Sequence, residues 1–370
     1  MTRAYLDHAS TAPLRPSARA AMIEVLERDD LGDPSRLHTE AMTARALVED
    51  ARDRVAAAVG ARPREVVFTS GATEAVAMAC WGAARSRGEH SILGAVEHSS
   101  IREWAERGPH TVVPVDGLGR IDVEAIDVAM QPGTGVVHCQ VGNHEVGTRQ
   151  PIAEVVATVD GRALVHSDAA QAIGRVRFDF AATGLDLVSF DAHRVGGPAG
   201  IGALLVRRGL RVEPLLVGGD QERARRAGME HVAGALGFAA AIEEAVAALP
   251  AETERLRALT AKVIAWAERS SGVTVLGDPD DRLPHLVCLG LEDVEPQPVL
   301  LGLDAAGVAV HSGSSCSSEA LEPSPVLQAM GADADRSLRV SVGWNTTEAD
   351  VERCCAEIER VLDGLRALRR

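Results

Sequence analysis

Short apolar runs separated by stretches of helical character set the plan of the chain. The runs Glu65-Val-Val-Phe68, Ser91-Ile-Leu-Gly-Ala95, Gly135-Val-Val-His-Cys-Gln140, Ala163-Leu-Val-His166, Asp186-Leu-Val-Ser-Phe190 and Gly202-Ala-Leu-Leu-Val206 predict strands. Between several of them, 41–59 and 74–85 read as helices. Strands alternating with helices predict a largely parallel, layered α/β sheet. An Ala-rich stretch over 235–270, interrupted near Pro250, predicts helices leading away from that sheet. Beyond 271 the texture shortens to strands at 273–276 and 285–289, a helix at 298–306, strands at 308–310 and 338–342, and a closing helix at 347–367. The change of texture predicts a large domain over 13–255 and a small domain over 256–370, with 1–12 grouped with the latter.

Composition narrows the class. A chain of 370 residues, 46% apolar, suits two packed domains. Its formal charge of −15 argues against general nucleic-acid binding, whose footprint is basic. No uninterrupted apolar run approaches the roughly 20 residues that span a bilayer. The opening residues carry no signal pattern, so the expected location is cytoplasmic, away from any membrane. The six cysteines form no C-x-x-C pair, and no metal site is expected. Most of them read as buried small residues.

Three stretches carry chemistry. Phe68-Thr-Ser-Gly-Ala-Thr-Glu74 closes a strand and opens a helix, presenting free N–H groups suited to an anion, or simply a capped helix. His166-Ser-Asp-Ala-Ala-Gln171 ends a strand with an acid where α/β ligand sites collect; Asp168 either meets a ligand or caps the next turn. Cys316 lies in a Ser/Gly-rich loop, as a nucleophile or as a chance surface thiol.

In their order along the chain these stretches resemble the cysteine desulfurases, pyridoxal-phosphate (PLP) enzymes of the class V aminotransferase fold. The resemblance covers nearly the full length. It rests on Tyr5-Leu-Asp-His-Ala9 with Thr11 and Pro13, 66–74, Glu97-His98, Gly142-Asn-His-Glu-Val-Gly147, 166–171 and Gly218-Gly-Asp-Gln-Glu-Arg223. It continues through Ser312-Gly-Ser-Ser-Cys316 with Leu321-Glu-Pro-Ser324, similar to the longer-loop housekeeping branch, then 338–343 and Thr346-Thr-Glu348. The resemblance implies the PLP-transferase fold type I: a seven-stranded-type, mainly parallel sheet and a small α/β C-terminal domain carrying a cysteine loop at about 307–325. It also implies a homodimer, L-cysteine or a related small molecule as substrate, and a sulfur-acceptor protein as partner.

Residue by residue, Thr73 with the backbone of Gly71 and Ala72 would hold the PLP phosphate, and His98 would stack on the ring. Asp168 would keep the ring nitrogen protonated, and Gln171 would bond the ring oxygen. Asn143 and Arg339 would bind substrate, the arginine by a bidentate contact to its carboxylate. Cys316 would take the sulfur as a persulfide.

Four departures cluster at one place. The Schiff-base lysine is Arg194, which stays protonated and cannot bond the cofactor. Asp191 stands where a hydroxyl often meets the phosphate, and a carboxylate there repels it. The segment expected to cross the dimer reads Arg226-Ala-Gly-Met229, and the second Asn of the family's N-N-E is His144. Together they predict a remodelled pocket, with Arg194 paired to Asp191 and PLP held without a covalent bond or not at all. Three readings follow: a protein that still handles cysteine sulfur, with His193 or His144 moving protons; a pseudoenzyme acting as scaffold, regulator or persulfide relay; or a pocket for a new ligand, with Arg194 filling the emptied phosphate region.

Overall fold

A computed structural model describes residues 3–312 and 323–368. Its strands run β1 (Ala4–Tyr5), β2 (Val66–Thr69), β3 (His90–Gly94), β4 (His110–Val113), β5 (Thr134–His138), β6 (Leu164–Asp168), β7 (Leu187–Asp191), β8 (Gly202–Val206), β9 (Val273–Leu276), β10 (Leu286–Leu291), β11 (Val308–Ala309), β12 (His311–Ser312) and β13 (Ser337–Ser341). The helices are α1 (Pro16–Leu26), α2 (Thr39–Ala58), α3 (Ala72–Ser86), α4 (Ser99–Ala105), α5 (Val123–Ala129), α6 (Ile152–Val159), α7 (Phe180–Thr183), α8 (Gln221–Ala224), α9 (Val232–Ala267), α10 (Pro296–Ala305), α11 (Pro325–Ala329) and α12 (Glu348–Ala367).

A seven-stranded sheet, in the order β2-β8-β7-β6-β5-β3-β4, forms the centre. Five neighbours from β7 to β4 are parallel, whereas β8 runs antiparallel to both β7 and β2. The largely parallel expectation therefore holds, with β8 as the one strand of the seven that runs against the others. The connection from β7 to β8 is short, and short connections return a strand antiparallel. The edge strand β4 escaped the sequence pattern because three of its four residues are not buried, leaving no apolar run.

Strand periodicity explains how the sheet is clad. Val136, Leu164 and Leu187 pack with Val67, Met78 and Ala79 on the face covered by α3. Their neighbours Val137, Val165 and Val188 turn to the opposite face and pack with Phe68, Val55 and Phe238. Each fully buried aliphatic of this kind contributes about 1.5–3 kcal/mol, and burial on both faces is what favours Val and Leu runs over alternation.

A second core gathers β10, β13 and α12 around Val287, Leu289, Val340 and Ile358. β1 pairs in parallel with β11 and adds Ala4 and Leu6 to that core. The Ala-rich stretch forms one continuous helix, α9, with Pro250 inside it. Pro250 lies on the exposed side of the helix. Buried residues from Ala233 to Ala245 belong to the first core and those from Leu256 to Ala267 to the second. This helix is long and apolar enough to cross a bilayer, yet most of its apolar window is buried inside the protein.

Candidate functional site

The alternation that sends Leu164 and Leu187 toward α3 also sends Asp168 and Asp191 there, four residues further on, at the carboxyl ends of their strands. Asp191 pairs across the sheet with Gly202, and a Cβ on Gly202 would stand 2.7 Å from Gly71 Cα. The missing side chain lets β8 bring the start of α3 against the acids. A cavity of about 390 Å³ opens there, lined by Gly71, Ala72, Thr73, His98, His144, Asp168, Gln171, Asp191, His193 and Arg194.

Ala72 and Thr73 open α3, so their amides have no acceptor within the helix and face an anion-favouring end. Glu74 sits in the same turn, takes the Ser70 amide at 2.7 Å and pairs with Arg226 at 2.8 Å. Arg226 thus folds back onto its own chain, and Met229 stays exposed. His98 caps α4 by accepting from the Ser100 amide at 3.1 Å, and its ring meets His144 edge-on at 5.0 Å. Burial raises the Asp168 pKa, while His98, the Ala170 amide and Arg194 favour the ionised form. Gln171 donates to Ala9 O at 2.8 Å, and its oxygen accepts from Arg175 at 2.7 Å.

Arg194 and Asp191 do pair. The guanidinium Nη1 bonds Asp191 Oδ2, and the Arg194 amide bonds Oδ1 at 3.1 Å. Arg194 Nε reaches Ala9 O at 3.2 Å. His193 Nε2 lies 3.2 Å from Arg194 Nη1, and its Nδ1 stands 3.3 Å from Asp191 Oδ1. With Nε2 accepting, the ring proton sits on Nδ1 toward the acid. Burial lowers the His193 pKa against the pull of Asp191, so the ring is neutral near pH 7.

The two expected substrate binders do not line this cavity. Asn143 is fully buried; its amide donates to Val96 O at 3.1 Å and its oxygen takes the amides of Glu145 and Val146, each at 2.8 Å. Arg339 is engaged by Asp7 at 3.1 Å, Ser10 Oγ at 2.7 Å and His144 O at 2.8 Å. Arg339 ties the N-terminal segment to the 143–148 turn, and Asn143 ties that turn to Val96. Cys316 lies outside the described residues.

Three supporting residues were given no role by sequence reading. Gln140 donates to Val96 O at 2.6 Å, fixing the turn that carries His98, and Glu97 takes the Gln140 amide at 2.7 Å. Arg175 spans Gln171, His8 O at 2.8 Å and Arg194 O at 2.9 Å. Its position four residues after Gln171 was the one available signal.

The family model for class V aminotransferases matches residues 4–354. The chain belongs to that family, in its cysteine desulfurase branch. It is 37% identical to the cysteine desulfurase IscS of Dictyoglomus turgidum, over 98% of this chain and 95% of that one. It is 38% identical to a cysteine desulfurase of Cereibacter sphaeroides, over 100% and 98% of the two chains. Among solved structures, a NifS-like protein superposes with a TM-score of 0.91 at 29% identity, over 98% and 100% of the chains. A structure of SspA in complex with cysteine superposes at 0.80 with 28% identity, over 92% and 99%.

Does such a cavity suit the family's PLP? The ring fits: Asp168, His98, Gln171 and the opening of α3 all stand around one space. The covalent attachment does not. The whole chain holds a single lysine, Lys262, which sits on α9 and bonds Glu348 and Glu352, with a nitrogen–oxygen distance of 3.3 Å to the latter. No lysine lines the cavity.

Proposed function

We propose that this family member handles cysteine-derived sulfur as a persulfide on Cys316, in a cavity that forms no covalent link to PLP. The observation that carries the reading is the Arg194–Asp191 ion pair standing where the lysine would be, in a chain whose one lysine is elsewhere. A guanidinium is always charged, so it neither condenses with an aldehyde nor cycles protons at neutral pH. The cofactor, when bound, supplies an electron-withdrawing ring, and Asp168, His98, Gln171 and Thr73 are the groups that would hold it.

With self-turnover weakened, the reading extends to a relay: Cys316 accepts sulfur and hands it to an acceptor protein, the chain working as a cytoplasmic homodimer with an L-cysteine-sized ligand. The ion pair also favours a second reading, a catalytically inactive homologue acting as scaffold or regulator.

The test is mass spectrometry of the protein after incubation with L-cysteine and PLP, then with an active desulfurase added. A persulfide on Cys316, absent in Cys316→Ser, supports sulfur handling; its appearance only with the second enzyme makes the protein a relay. No persulfide under either condition leaves the scaffold reading standing and ends the sulfur-carrier one.

A further inference from the structure

We propose a second ligand site, between α3 and α4, that takes a flat aromatic anion. A cavity of about 450 Å³ opens there over β3 and β5 and shares no lining residue with the cavity holding Asp168. Trp81, Ala84, Trp104, Pro109 and Val136 supply apolar walls, and Cys80 and His138 complete them. The volume falls within the roughly 300–1,000 Å³ of small-molecule sites.

Charge is confined to three exposed residues of the lining, Arg85, Arg107 and Glu89, which leaves the cations in excess. Arg85 lies over the Trp81 ring at 4.2 Å, and Arg107 over the Trp104 ring at 5.0 Å. Among the described residues neither guanidinium has a hydrogen bond or an ion pair, although the chain carries 53 acids. Trp81 Nε1 is buried and also without an acceptor among the described residues. Three donors around one cavity thus lack an acceptor. The remaining polar groups are neutral. Cys80 Sγ faces His138 Nε2 at 3.8 Å, and burial raises the thiol pKa to about 12 and lowers that of the imidazole to about 4. An uncharged, tryptophan-walled interior under a cationic rim suits a ring held inside with its carboxylate at the opening. Indole stacks on the ring, and guanidinium pairs with the carboxylate. The site stands whether or not Cys316 carries sulfur.

The experiment is titration calorimetry on the full-length protein with 1-naphthoate, 1-naphthamide and cyclohexanecarboxylate. The amide lacks the charge and the cyclohexane lacks the flat ring. The wild type binds naphthoate about tenfold more tightly than either, the range of one charge-assisted hydrogen bond for the amide. Arg85→Gln with Arg107→Gln, both at exposed positions, erases the preference for naphthoate over naphthamide. Ala84→Phe fills the cavity and weakens naphthoate binding by about tenfold or more. A wild type that binds the three alike, or binds none, overturns the proposal. So does an anion preference that survives in the double arginine variant, or naphthoate binding that Ala84→Phe leaves unchanged, since either places the anion elsewhere on the protein.

Discussion

Arg194 and Asp191 form an ion pair in which the acid is wholly buried and the base retains a strip of open surface. The pair fixes what restoring the lysine alone achieves. A lysine at 194 stands beside the Asp191 carboxylate, which holds an ammonium protonated and so unreactive. Arg194→Lys with PLP is expected to give weak borohydride-trapped pyridoxyl labelling of residue 194, and Arg194→Lys with Asp191→Ser strong labelling. In the wild type the only labelled sites are Lys262 and the N-terminal amine. Peptide mapping checks this, and equal labelling of the single and double variants contradicts it.

Stability responds to the same pair. Arg194→Gln strands a buried carboxylate and is expected to cost roughly 3 kcal/mol. Adding Asp191→Asn removes the charge and recovers most of the loss. Denaturant unfolding of the two variants measures the difference; a double variant no more stable than the single one would speak against the pair's electrostatic role.

Glu97 makes stability depend on pH. It is 2% exposed, one oxygen takes the Gln140 amide and the other has no partner. Burial pushes its pKa from 4.5 up to about 8. Between those values the folded protein keeps a proton that the unfolded chain has released, so the contribution of Glu97 to stability falls as pH rises from about 4.5 to about 8, while buried His8 and His138, held down to about 3 and about 4, act in the opposite sense. Glu97→Gln is expected to remove that contribution, read as a difference in melting temperature between wild type and variant that changes steadily from about pH 4.5 to about pH 8.

The turn around α8 stores backbone strain. Glu222, Arg223 and Ala224 have φ of 49°, 58° and 59°, three consecutive left-handed residues without a glycine. Glu222 is anchored by Arg52 at 2.6 and 2.7 Å and by the Phe68 amide at 2.9 Å. Ala224→Gly is expected to stabilise the protein by about 1 kcal/mol, since glycine has no Cβ to clash there. An unchanged or lowered melting temperature refutes this.

Much of this architecture was readable because strands and helices announce themselves by period. Six of the seven central strands, the closing helix and the groups around Asp168 follow from it and from ordered motifs. The sheet's antiparallel side was not readable, since β8 carries the same two-face burial as a parallel strand and direction leaves no mark on composition. The contacts of Arg339 were unreadable for another reason. A motif names residue types, but the partners of this arginine, Asp7 and Ser10, lie more than 300 residues away. The Arg194–Asp191 contact was legible, because three residues in a tight turn leave two opposite charges little else to do.

The two cores share α9. One half of that helix buries its Phe238 and neighbours in the first core, the other its Leu256, Val263 and Trp266 in the second. Neither half can fray without pulling the register of the other, so the exposed Pro250 lies within a common axle and not at a seam. Heating should therefore give one cooperative endotherm for the whole chain, with the small core unable to melt first.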